Sequence, residues 1–486
     1  MKRFMALMLL FSLGLAPFSH AQTLANVAID ATQIRQTMDG FGAFDAQGSC
    51  FNTYGCTRYN AYPPLTSAQA DFYFTSSLPN SLGLSLLRIA VPPYADGSSQ
   101  HPWFYNSGDI RLALARGVKI WADAERPPSA DLLQIYGPAP CSTSRPCYEL
   151  NATHPSSGVY AYYADFAATL VAYAQAFQTT FGTTLYALNP QNEPNNPGFT
   201  NLPERSHYGP YQYENFVNDY LKPAFVAAGL TTKILGAEEA AWSWNYVTPV
   251  SGEPSIGVCG SGSTNMPLDV FAAHHYHGGT PTAPPFTCVP IWETEVFLND
   301  AGSCVAGDDN CISPCEFATC QNNGQAAYTL AQQINDFTQL AGASAYHYFL
   351  LTDQSTPNKP DALGYEDSSG NTTTPIYAYA LGQYSRWVRP GWKRIASDGS
   401  ALPARVKVSA YMDPTATQLA IVFVNPTPNW VTLTLSLKGI SAPAGLTNWY
   451  TFADNGFGVK GLTEGSSQAV GSTVWLYPYS VQTLAN

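Results

Sequence analysis

Two glutamates stand in settings that suit acid–base chemistry on a bound ligand. Glu193 lies in the segment 189–194 (NPQNEP), and Glu295 closes the segment 292–295 (WETE). Each ends a short apolar run that predicts a strand. If both strands belong to one parallel barrel, the two carboxyl groups lie at the same mouth. Carboxyl groups that face each other there can hydrolyse an acetal, one as the proton donor and the other as the nucleophile.

Other glutamates compete for these roles. Glu293 lies two residues before Glu295, so both point to the same face of a strand, with Glu293 deeper in the barrel. Such a buried carboxylate needs a partner, for which Arg88 is a candidate, and Glu293 stays an alternative nucleophile. Glu238 and Glu239 end the fifth apolar run, where we expect one of them to bind the ligand or brace the site. Taken singly, each glutamate is more simply a solvated or ion-paired carboxylate.

The elements that must position these residues are eight apolar runs that alternate with helical patterns. Continuous apolar character is typical of parallel strands buried on both faces. Eight such units over roughly 340 residues predict an α/β fold, a (β/α)8 TIM barrel with long loops. A doubly wound open sheet is the alternative, but no Gly-rich phosphate loop follows any strand. A helix is predicted over Gly158–Thr180, with Gly182 placed to end it. The predicted strands are Met38–Asp45, Leu84–Val91, Gly117–Asp123, Thr184–Pro190, Thr232–Ala237, Asp269–His275, Val289–Glu295 and Ser344–Leu350.

From about Arg389 the pattern changes to strands separated by turn residues. It predicts a C-terminal antiparallel β-sandwich, which an N-terminal strand near Val27–Ile29 completes. Its predicted strands are Val406–Met412, Gln418–Asn425, Trp430–Leu437, Thr447–Phe452 and Ser472–Leu476. The predicted domains are therefore a signal peptide (1–21), the N-terminal strand joining the β-sandwich (22–37), the catalytic barrel (38–388) and the β-sandwich domain (389–486).

Composition limits the classes of partner. Of 486 residues, 45% are hydrophobic, 12% charged and 13% aromatic, and the formal net charge is −12. Nucleic acids and anionic membranes bind basic surfaces, so neither is an expected partner. Many aromatic and few charged side chains suit neutral ligands that stack on rings, such as sugars, although a large core is the plainer interpretation.

The N-terminus predicts export. Lys2 and Arg3 precede an apolar run over 4–17, and small residues stand at Ser19 and Ala21. This pattern is typical of a secretory signal peptide that is cut near Ala21, and the run is too short to span a bilayer. We therefore expect a secreted protein, extracellular or periplasmic.

Ten cysteines follow the predicted cut. An even number in an exported chain predicts five disulfides and no structural metal. Four of them lie between Cys304 and Cys320, in a Cys-rich insert over 299–321. A zinc site is the alternative there, but the spacing lacks paired CxxC units and contains no His. In the same insert, Asp308 and Asp309 are predicted to be solvated rather than calcium ligands, and we expect no cofactor.

Several motifs together resemble those of glycoside hydrolase family 30, in clan A. The Asn192-Glu193-Pro194 and Thr294-Glu295 motifs look like that clan's fourth and seventh strand ends. The matches that narrow it to family 30 are Gln36 with 39–42 (DGFG), 84–89 (LSLLRI), Trp121 with 127–128 (PP), His274 with Tyr276, and 382–391 (GQYSRWVRPG). The resemblance spans Gln36 to the C-terminus. Two departures are the absence of a second Trp after the third strand and Phe349 where the family usually has Trp.

The resemblance implies a retaining β-glycoside hydrolase that works by double displacement. Glu193 would be the acid/base, which must hold its proton near neutral pH, and Glu295 the nucleophile, which must stay ionised. Arg88 and Tyr276 would donate to Glu295, and Asn192 would contact the sugar 2-hydroxyl. The predicted substrate-binding residues are Arg88, Trp121, Asn192, Trp242, His274, Tyr276 and Phe349, and no residue is predicted to bind metal.

The family includes xylanases, glucosylceramidases, β-1,6-glucanases and β-1,6-galactanases. The first choice here is a xylan-type β-glycan, and the alternatives are β-1,6-galactan and β-1,6-glucan. Glucuronoxylan-specific members use an Arg after the eighth strand, but 351–375 contains Lys359 and no Arg, so strict dependence on glucuronate is not expected. We expect a monomer whose partner is a carbohydrate polymer or oligosaccharide. A non-catalytic carbohydrate-binding protein on a hydrolase fold and a surface adhesion protein stay open as other classes.

Overall fold

The structure is a computed structural model of the chain. It describes residues 23–46, 64–92, 97–99, 102–124, 133–136, 147–150, 161–194, 210–244, 256–257, 264–265, 268–276, 280–285, 288–298, 325–353, 361–367, 371–440, 445–452 and 461–486. The predicted signal peptide, the 127–128 turn, Lys359 and the Cys-rich insert lie outside these residues. Cys288 is disulfide-bonded. The side chains of the other nine cysteines also lie outside the described part, so the predicted set of five disulfides stays a prediction.

Strands are more abundant than helices in the described part of the chain. In chain order they are β1 Thr23–Thr37, β2 Gly40–Asp45, β3 Leu86–Ala90, β4 Lys119–Asp123, β5 Leu133–Tyr136, β6 Cys147–Leu150, β7 Ala187–Asn189, β8 Lys233–Glu239, β9 Ile256–Gly257, β10 Thr264–Asn265, β11 Val270–Ala273, β12 Ile291–Val296, β13 Ala345–Leu350, β14 Tyr365–Glu366, β15 Thr372–Thr373, β16 Lys393–Asp398, β17 Lys407–Met412, β18 Leu419–Asn425, β19 Val431–Lys438, β20 Leu446–Phe452, β21 Thr463–Gln468, β22 Thr473–Leu476 and β23 Ser480–Ala485.

The described helices are shorter in total. They are α1 Ser67–Phe74, α2 Ser107–Leu114, α3 Ala161–Phe181, α4 Pro210–Asn215, α5 Lys222–Ala227, α6 Gln325–Asp336 and α7 Ile376–Ser385, with π-helical turns at Phe216–Leu221 and Phe337–Ala341. The predicted long helix is α3, and Gly182 follows it with a φ of +70°, a conformation that suits glycine. Among the helices that the structure describes, none has the length and apolar character needed to cross a membrane.

Eight parallel strands close into a barrel in the order β2, β3, β4, β7, β8, β11, β12 and β13. Each of the eight predicted barrel strands overlaps one of these strands, so the predicted barrel is confirmed. An apolar layer that includes Leu86, Trp121, Leu235 and Trp292 fills its interior. Because the two Trp rings contact each other with centroids 6.1 Å apart, the barrel is a packed core whose free space lies at the mouth.

The second unit is a nine-stranded sheet in the order β21-β20-β23-β18-β17-β16-β1-β19-β22. The prediction of a separate β domain that includes the N-terminal strand is confirmed, with one difference from a purely antiparallel sandwich. The 15-residue β1 pairs antiparallel with β16 and parallel with β19, so it joins the two layers into one continuous sheet. One face of this sheet buries its own apolar core.

The two units contact each other through helices of the barrel. Tyr411 of β17 donates to Thr338 Oγ1 at 3.1 Å, and Thr483 of β23 donates to the Gln383 side chain of α7 at 2.7 Å. All four side chains are buried. Buried polar contacts of this kind favour one relative orientation, since separating the units would leave the polar groups unpaired.

Candidate active site

The structure brings Glu193 and Glu295 together at the carboxyl ends of the barrel strands. Glu193 follows β7 in a left-handed backbone conformation with φ +44°, and Glu295 lies near the end of β12. One carboxylate oxygen of each glutamate and one ring nitrogen of His274 all lie within 4.8 Å of one another. The side chains of both glutamates are buried. Their nearest carboxylate oxygens lie within 4.8 Å of each other, which suits direct attack by one carboxylate, since inverting enzymes separate their carboxyl groups by about 6.5–9.5 Å to leave room for a water molecule.

Two donors hold the Glu295 carboxylate. Tyr276 donates its hydroxyl to Oε1 at 2.6 Å, and Arg88 Nη1 pairs with Oε2. Arg88 is fully buried, and its Nη2 contacts Asp123 and donates to Asn192 Oδ1 at 3.2 Å. Burial opposes the charge on Arg88, but Asp123 and Glu295 hold its pKa well above the ordinary value. Arg88 is therefore a permanent cation beside Glu295.

A different arrangement surrounds Glu193. His274 Nδ1 lies 3.2 Å from Glu193 Oε1, and the opposite ring nitrogen contacts Glu238 Oε2. Thr294 donates its hydroxyl to the same Glu238 oxygen at 2.9 Å, and the Glu193 backbone N–H donates to the Glu238 carbonyl at 2.9 Å. Glu238 therefore holds the ring of His274 and the backbone of Glu193 at once.

His274 lies between the carboxyl groups of Glu193 and Glu238. Burial by itself lowers the pKa of the imidazole, but the carboxylates of Glu295 and Glu238 raise that pKa well above its ordinary value. The imidazolium is therefore the form that the site favours at neutral pH. It can donate to Glu193 and to Glu238 at the same time, since both ring nitrogens carry a proton in this form.

The structure corrects the expected partner of Glu293. Its carboxylate accepts from the backbone N–H of Glu295 at 3.0 Å and of His347 at 3.2 Å, and Arg88 pairs with Glu295 instead. A bulge in the β12–β13 pairing between Glu293 and Val296 changes the strict alternation that the prediction assumed. Burial raises the pKa of Glu293 well above its ordinary value. Glu293 therefore braces the strand that carries Glu295.

Two of the predicted substrate-binding residues, Trp121 and Arg88, have fully buried side chains, and their contact with a sugar stays a prediction. The Trp121 indole N–H donates to His347 Nε2 at 3.0 Å inside the barrel. Burial lowers the pKa of His347 to about 4, so the neutral ring accepts this bond at neutral pH. Arg88 is equally buried and binds carboxylates. Trp121 is thus a core residue, and Arg88 acts on the ligand through Glu295.

The remaining predicted contacts lie at two places. Asn192 and His274 are buried beside the two glutamates, and Tyr276 is half-buried above Glu295. Trp242 packs edge-on against Phe337 with centroids 4.7 Å apart, and its indole N–H donates to the Thr282 carbonyl at 2.9 Å. Trp242 thus lies against the layer between strands and helices, and its contact with substrate stays a prediction.

Phe349 belongs to an aromatic wall of three rings, Tyr276, Phe297 and Phe349, of which the sequence analysis predicted only Tyr276 and Phe349. Its ring contacts Phe297 at 5.6 Å, and Phe297 contacts Tyr276 at 5.3 Å between centroids. All three rings are half-buried. Phe297 was missed, although it stands two residues after Glu295, a spacing that places residues on the same face of a strand. Asp123, the second partner of Arg88, was also missed; it ends β4, and Glu295 lies near the end of the seventh barrel strand.

Glu193, His274 and Glu295 could also be metal ligands by distance alone. The charges around them argue against a resident divalent ion. Arg88 already pairs with Glu295, and a second cation in contact with the same carboxylate would repel the guanidinium at close range. The donor set therefore fits proton transfer and nucleophilic attack better than metal binding.

Comparisons with known proteins also lead to glycoside hydrolases. No family model matches the chain. An endo-1,6-beta-D-glucanase of Trichoderma harzianum is 26% identical in an alignment 391 residues long, which covers 66% of this chain and 75% of that protein. The chain is also similar to the solved structure of a GH30 endoxylanase from Clostridium papyrosolvens, with a TM-score of 0.70 and 20% identity over 95% of this chain and 100% of that one.

Two further structures have the same fold. The catalytic domain of the GH30 xylanase C from Talaromyces cellulolyticus has a TM-score of 0.68 at 21% identity, covering 95% of this chain and 99% of that one. An endo-β-1,6-glucanase has a TM-score of 0.62 at 18% identity, covering 95% and 94%. The predicted fold and the predicted resemblance to glycoside hydrolase family 30 are confirmed, and the expectation of a glycoside hydrolase is confirmed at the level of that class.

Proposed function

We propose that this chain is a secreted retaining β-glycoside hydrolase that cleaves a polysaccharide by double displacement. The observation that carries the proposal is the pair of glutamates, Glu193 and Glu295, within reach of one sugar and held by different partners. Glu295 has a permanent cation and a phenol beside it. Glu193 has an imidazole, which can take up and release a proton.

In the first step, Glu295 attacks the anomeric carbon and the bond from that carbon to the leaving oxygen breaks. Glu193 gives its proton to the leaving oxygen, so that the aglycone departs as a neutral alcohol. Arg88 and Tyr276 keep Glu295 ionised and aimed before the attack. Charge on the carboxylate falls as the glycosyl–enzyme bond forms.

The second step reverses these roles. Glu193 takes a proton from a water molecule, whose oxygen attacks the anomeric carbon from the face that the aglycone left. Glu295 departs as a carboxylate, and the donors Arg88 and Tyr276 stabilise the returning charge. Asn192 accepts from Arg88 through Oδ1, which fixes the amide plane for its proposed contact with the sugar 2-hydroxyl.

Xylan is the first proposed substrate, and β-1,6-glucan is the second. Endoxylanases are among the solved structures of the same fold, with TM-scores up to 0.70 among those compared. β-1,6-glucan is favoured by the relative found by sequence, an endo-1,6-beta-D-glucanase. The aromatic wall of Tyr276, Phe297 and Phe349 would form one side of the sugar subsite in either case.

A substrate screen with product sizing tests the proposal. Purified protein is incubated with xylan, β-1,6-glucan, β-1,6-galactan and aryl β-glycosides, and the products are sized by chromatography. We expect release of oligosaccharides from one polysaccharide, and none from the Glu295→Gln variant under the same conditions. Binding of a polysaccharide without turnover of any polysaccharide or aryl glycoside would show a non-catalytic binding protein instead.

A further inference from the structure

Four aromatic side chains at one end of the nine-stranded sheet belong to neither core. Trp430, Tyr450, Trp475 and Tyr477, here called the aromatic platform, contact one another in a row. Centroid distances are 6.3 Å for Trp475 to Trp430, 4.7 Å for Trp430 to Tyr477 and 5.5 Å for Tyr477 to Tyr450. Among the described residues, these rings pack in neither the barrel core nor the sheet core. Trp475 is 48% exposed and is the one aromatic residue among the described large apolar side chains at the surface.

Buried amides fix the backbone that carries two of these rings. Gln482, fully buried, donates through Nε2 to the Trp475 carbonyl at 3.1 Å and accepts from the Tyr477 N–H at 2.6 Å. Asn425, also buried, donates to the Tyr477 carbonyl at 2.8 Å. The platform is therefore rigid before any ligand arrives, which lowers the entropic cost of binding.

Side chains without formal charge continue the same outer face. The strand register places Leu24, Thr432 and Trp475 in one row across β1, β19 and β22, and the next row is Asn26, Thr434 and Thr473. Thr432 Oγ1 is buried and has no hydrogen-bond partner. Along these three strands charged residues first occur further on, where Lys438 pairs with Asp30 at 2.8 Å. Rings beside hydroxyl and amide groups without formal charge complement a neutral, hydroxyl-rich ligand.

The exposed area of the platform is small. An aromatic side chain offers about 150–250 Å² in total, and all four aromatic residues are more than half buried. A stable protein interface needs about 800 Å² on each partner. The platform therefore suits a thin chain that lies across successive rings better than it suits a second protein.

We propose that the aromatic platform is a second binding surface, separate from the barrel mouth, for the chain of a neutral β-linked polysaccharide. Ring faces would stack on successive pyranose units, and the adjoining Asn and Thr side chains would bond their hydroxyl groups. This inference rests on the proposed function for its ligand class, since an enzyme that cuts a polymer gains from holding the same polymer elsewhere.

The test measures binding without turnover. The full chain with Glu295→Gln is run in native gels that contain xylan or β-1,6-glucan, and retardation gives a dissociation constant. We expect Trp475→Ala in this background to weaken binding about tenfold, as loss of one stacked ring would. Trp475→Tyr, which keeps a ring, should retain most of the affinity. Ile34→Ala removes a side chain that is 55% exposed elsewhere on the sheet, and it should change nothing.

Activity separates this inference from the proposed function. In the wild-type background, Trp475→Ala should leave turnover of an aryl glycoside within about twofold, since that substrate fills only the barrel site. Unchanged polysaccharide binding in both Trp475→Ala and Trp430→Ala would overturn the platform. Light scattering that showed a dimer of the wild type and a monomer of Trp475→Ala would also overturn the proposed polysaccharide site. It would assign the surface to self-association. If no glycoside is turned over, the proposed function is wrong. The gel experiment would still show whether the aromatic platform binds polysaccharide.

Discussion

The nucleophile side and the acid/base side of the site hold their carboxyl groups with different kinds of cation. Glu295 pairs with Arg88, which is buried, permanently charged and held in turn by Asp123. Glu193 contacts His274, whose charge depends on pH and on the carboxylates of Glu295 and Glu238. Both sides thus have a buried cation with a second carboxylate, and they differ in whether that cation can lose its proton.

The difference matches what each proposed role demands. A nucleophile must stay ionised before attack and leave as an anion, so a cation that never titrates suits it. An acid/base must gain and lose a proton in each cycle, so a titratable neighbour suits it. Glu193, Glu238, Glu295, Glu293 and Tyr276 all face or influence His274, and the carboxylates among them favour its imidazolium form.

The largest expected effect is on the nucleophile itself. Glu295→Gln should lower kcat/KM on the order of 10⁴-fold or more on every substrate, because no covalent intermediate can form. Glu293→Gln is the matched control from the same strand. It should be milder, since Glu293 only accepts backbone N–H groups. Labelling by a 2-fluoro-glycoside that persists in Glu295→Gln and vanishes in Glu293→Gln would move the nucleophile to Glu293.

The next effect depends on the leaving group. Glu193→Gln should lower turnover of polysaccharide by about 10²–10⁴-fold but spare glycosylation by a dinitrophenyl glycoside, because that phenolate leaves without a proton. Azide should restore turnover of the aryl glycoside by Glu193→Ala, since a small anion needs no general base. Steady-state and burst kinetics with both substrates measure this. Equal losses on both substrates, with no azide rescue, would count against the assigned role.

A third substitution tests the permanent cation. Arg88→Lys keeps one charge but loses the planar fork that contacts Glu295 and Asp123 together. We expect kcat/KM to fall about 10²-fold on polysaccharide and aryl glycoside alike, together with a lower Tm, because a buried carboxylate loses its partner. A loss confined to substrates with poor leaving groups would place Arg88 on the acid/base side and break the comparison.

The smallest expected effect tests the titratable cation. Glu238→Gln removes one of the carboxylates that raise the pKa of His274, so that pKa falls. The midpoint of the titration of the His274 ring, followed by NMR, should therefore move to lower pH, and we expect about a tenfold loss of kcat/KM. An unmoved midpoint would show that Glu238 is merely structural.

Stability gives an independent check on the same substitution. His274 has a folded-state pKa above its ordinary value of 6.5, so its pairing contributes fully below 6.5 and is lost as pH rises through the folded value. The Tm difference between wild type and Glu238→Gln should accordingly be larger at low pH than at high pH. A difference that grows with pH would contradict the pairing.

Strand-end residues were predictable because a parallel barrel has a simple rule for them. The apolar runs before Glu193 and Glu295 are buried on both faces, and the carboxyl ends of such strands meet at one mouth. The same rule would have found Asp123 at the end of β4. The side chains that contact these strand-end residues could not be predicted in the same way. The bulge in β12 and the left-handed conformation of Glu238, with φ +57°, change which way side chains point, and neither has a local sequence signal.

Burial distinguishes the aromatic residues from one another. Trp121 lies in the middle of β4, two residues before Asp123, and it fills the barrel interior beneath Arg88. The position of a residue along a strand does not tell whether its side chain fills the barrel interior or reaches the mouth, since the way in which the strands close sets the depth of each side-chain layer.

Strands β16, β21 and β23 were missed in the C-terminal unit. Of these, β21 (TEGSSQ) has no buried residue and no apolar alternation to detect.

The anomeric form of the first product tests the central claim most directly. Proton NMR is recorded during cleavage of the β-linked oligosaccharide that the substrate screen identifies, before mutarotation equilibrates the ends. Double displacement by Glu295 and Glu193 predicts that the β anomer appears first and the α anomer only later. Appearance of the α anomer first would show single displacement by water, and it would contradict the assignment of Glu295 as a nucleophile within reach of the sugar.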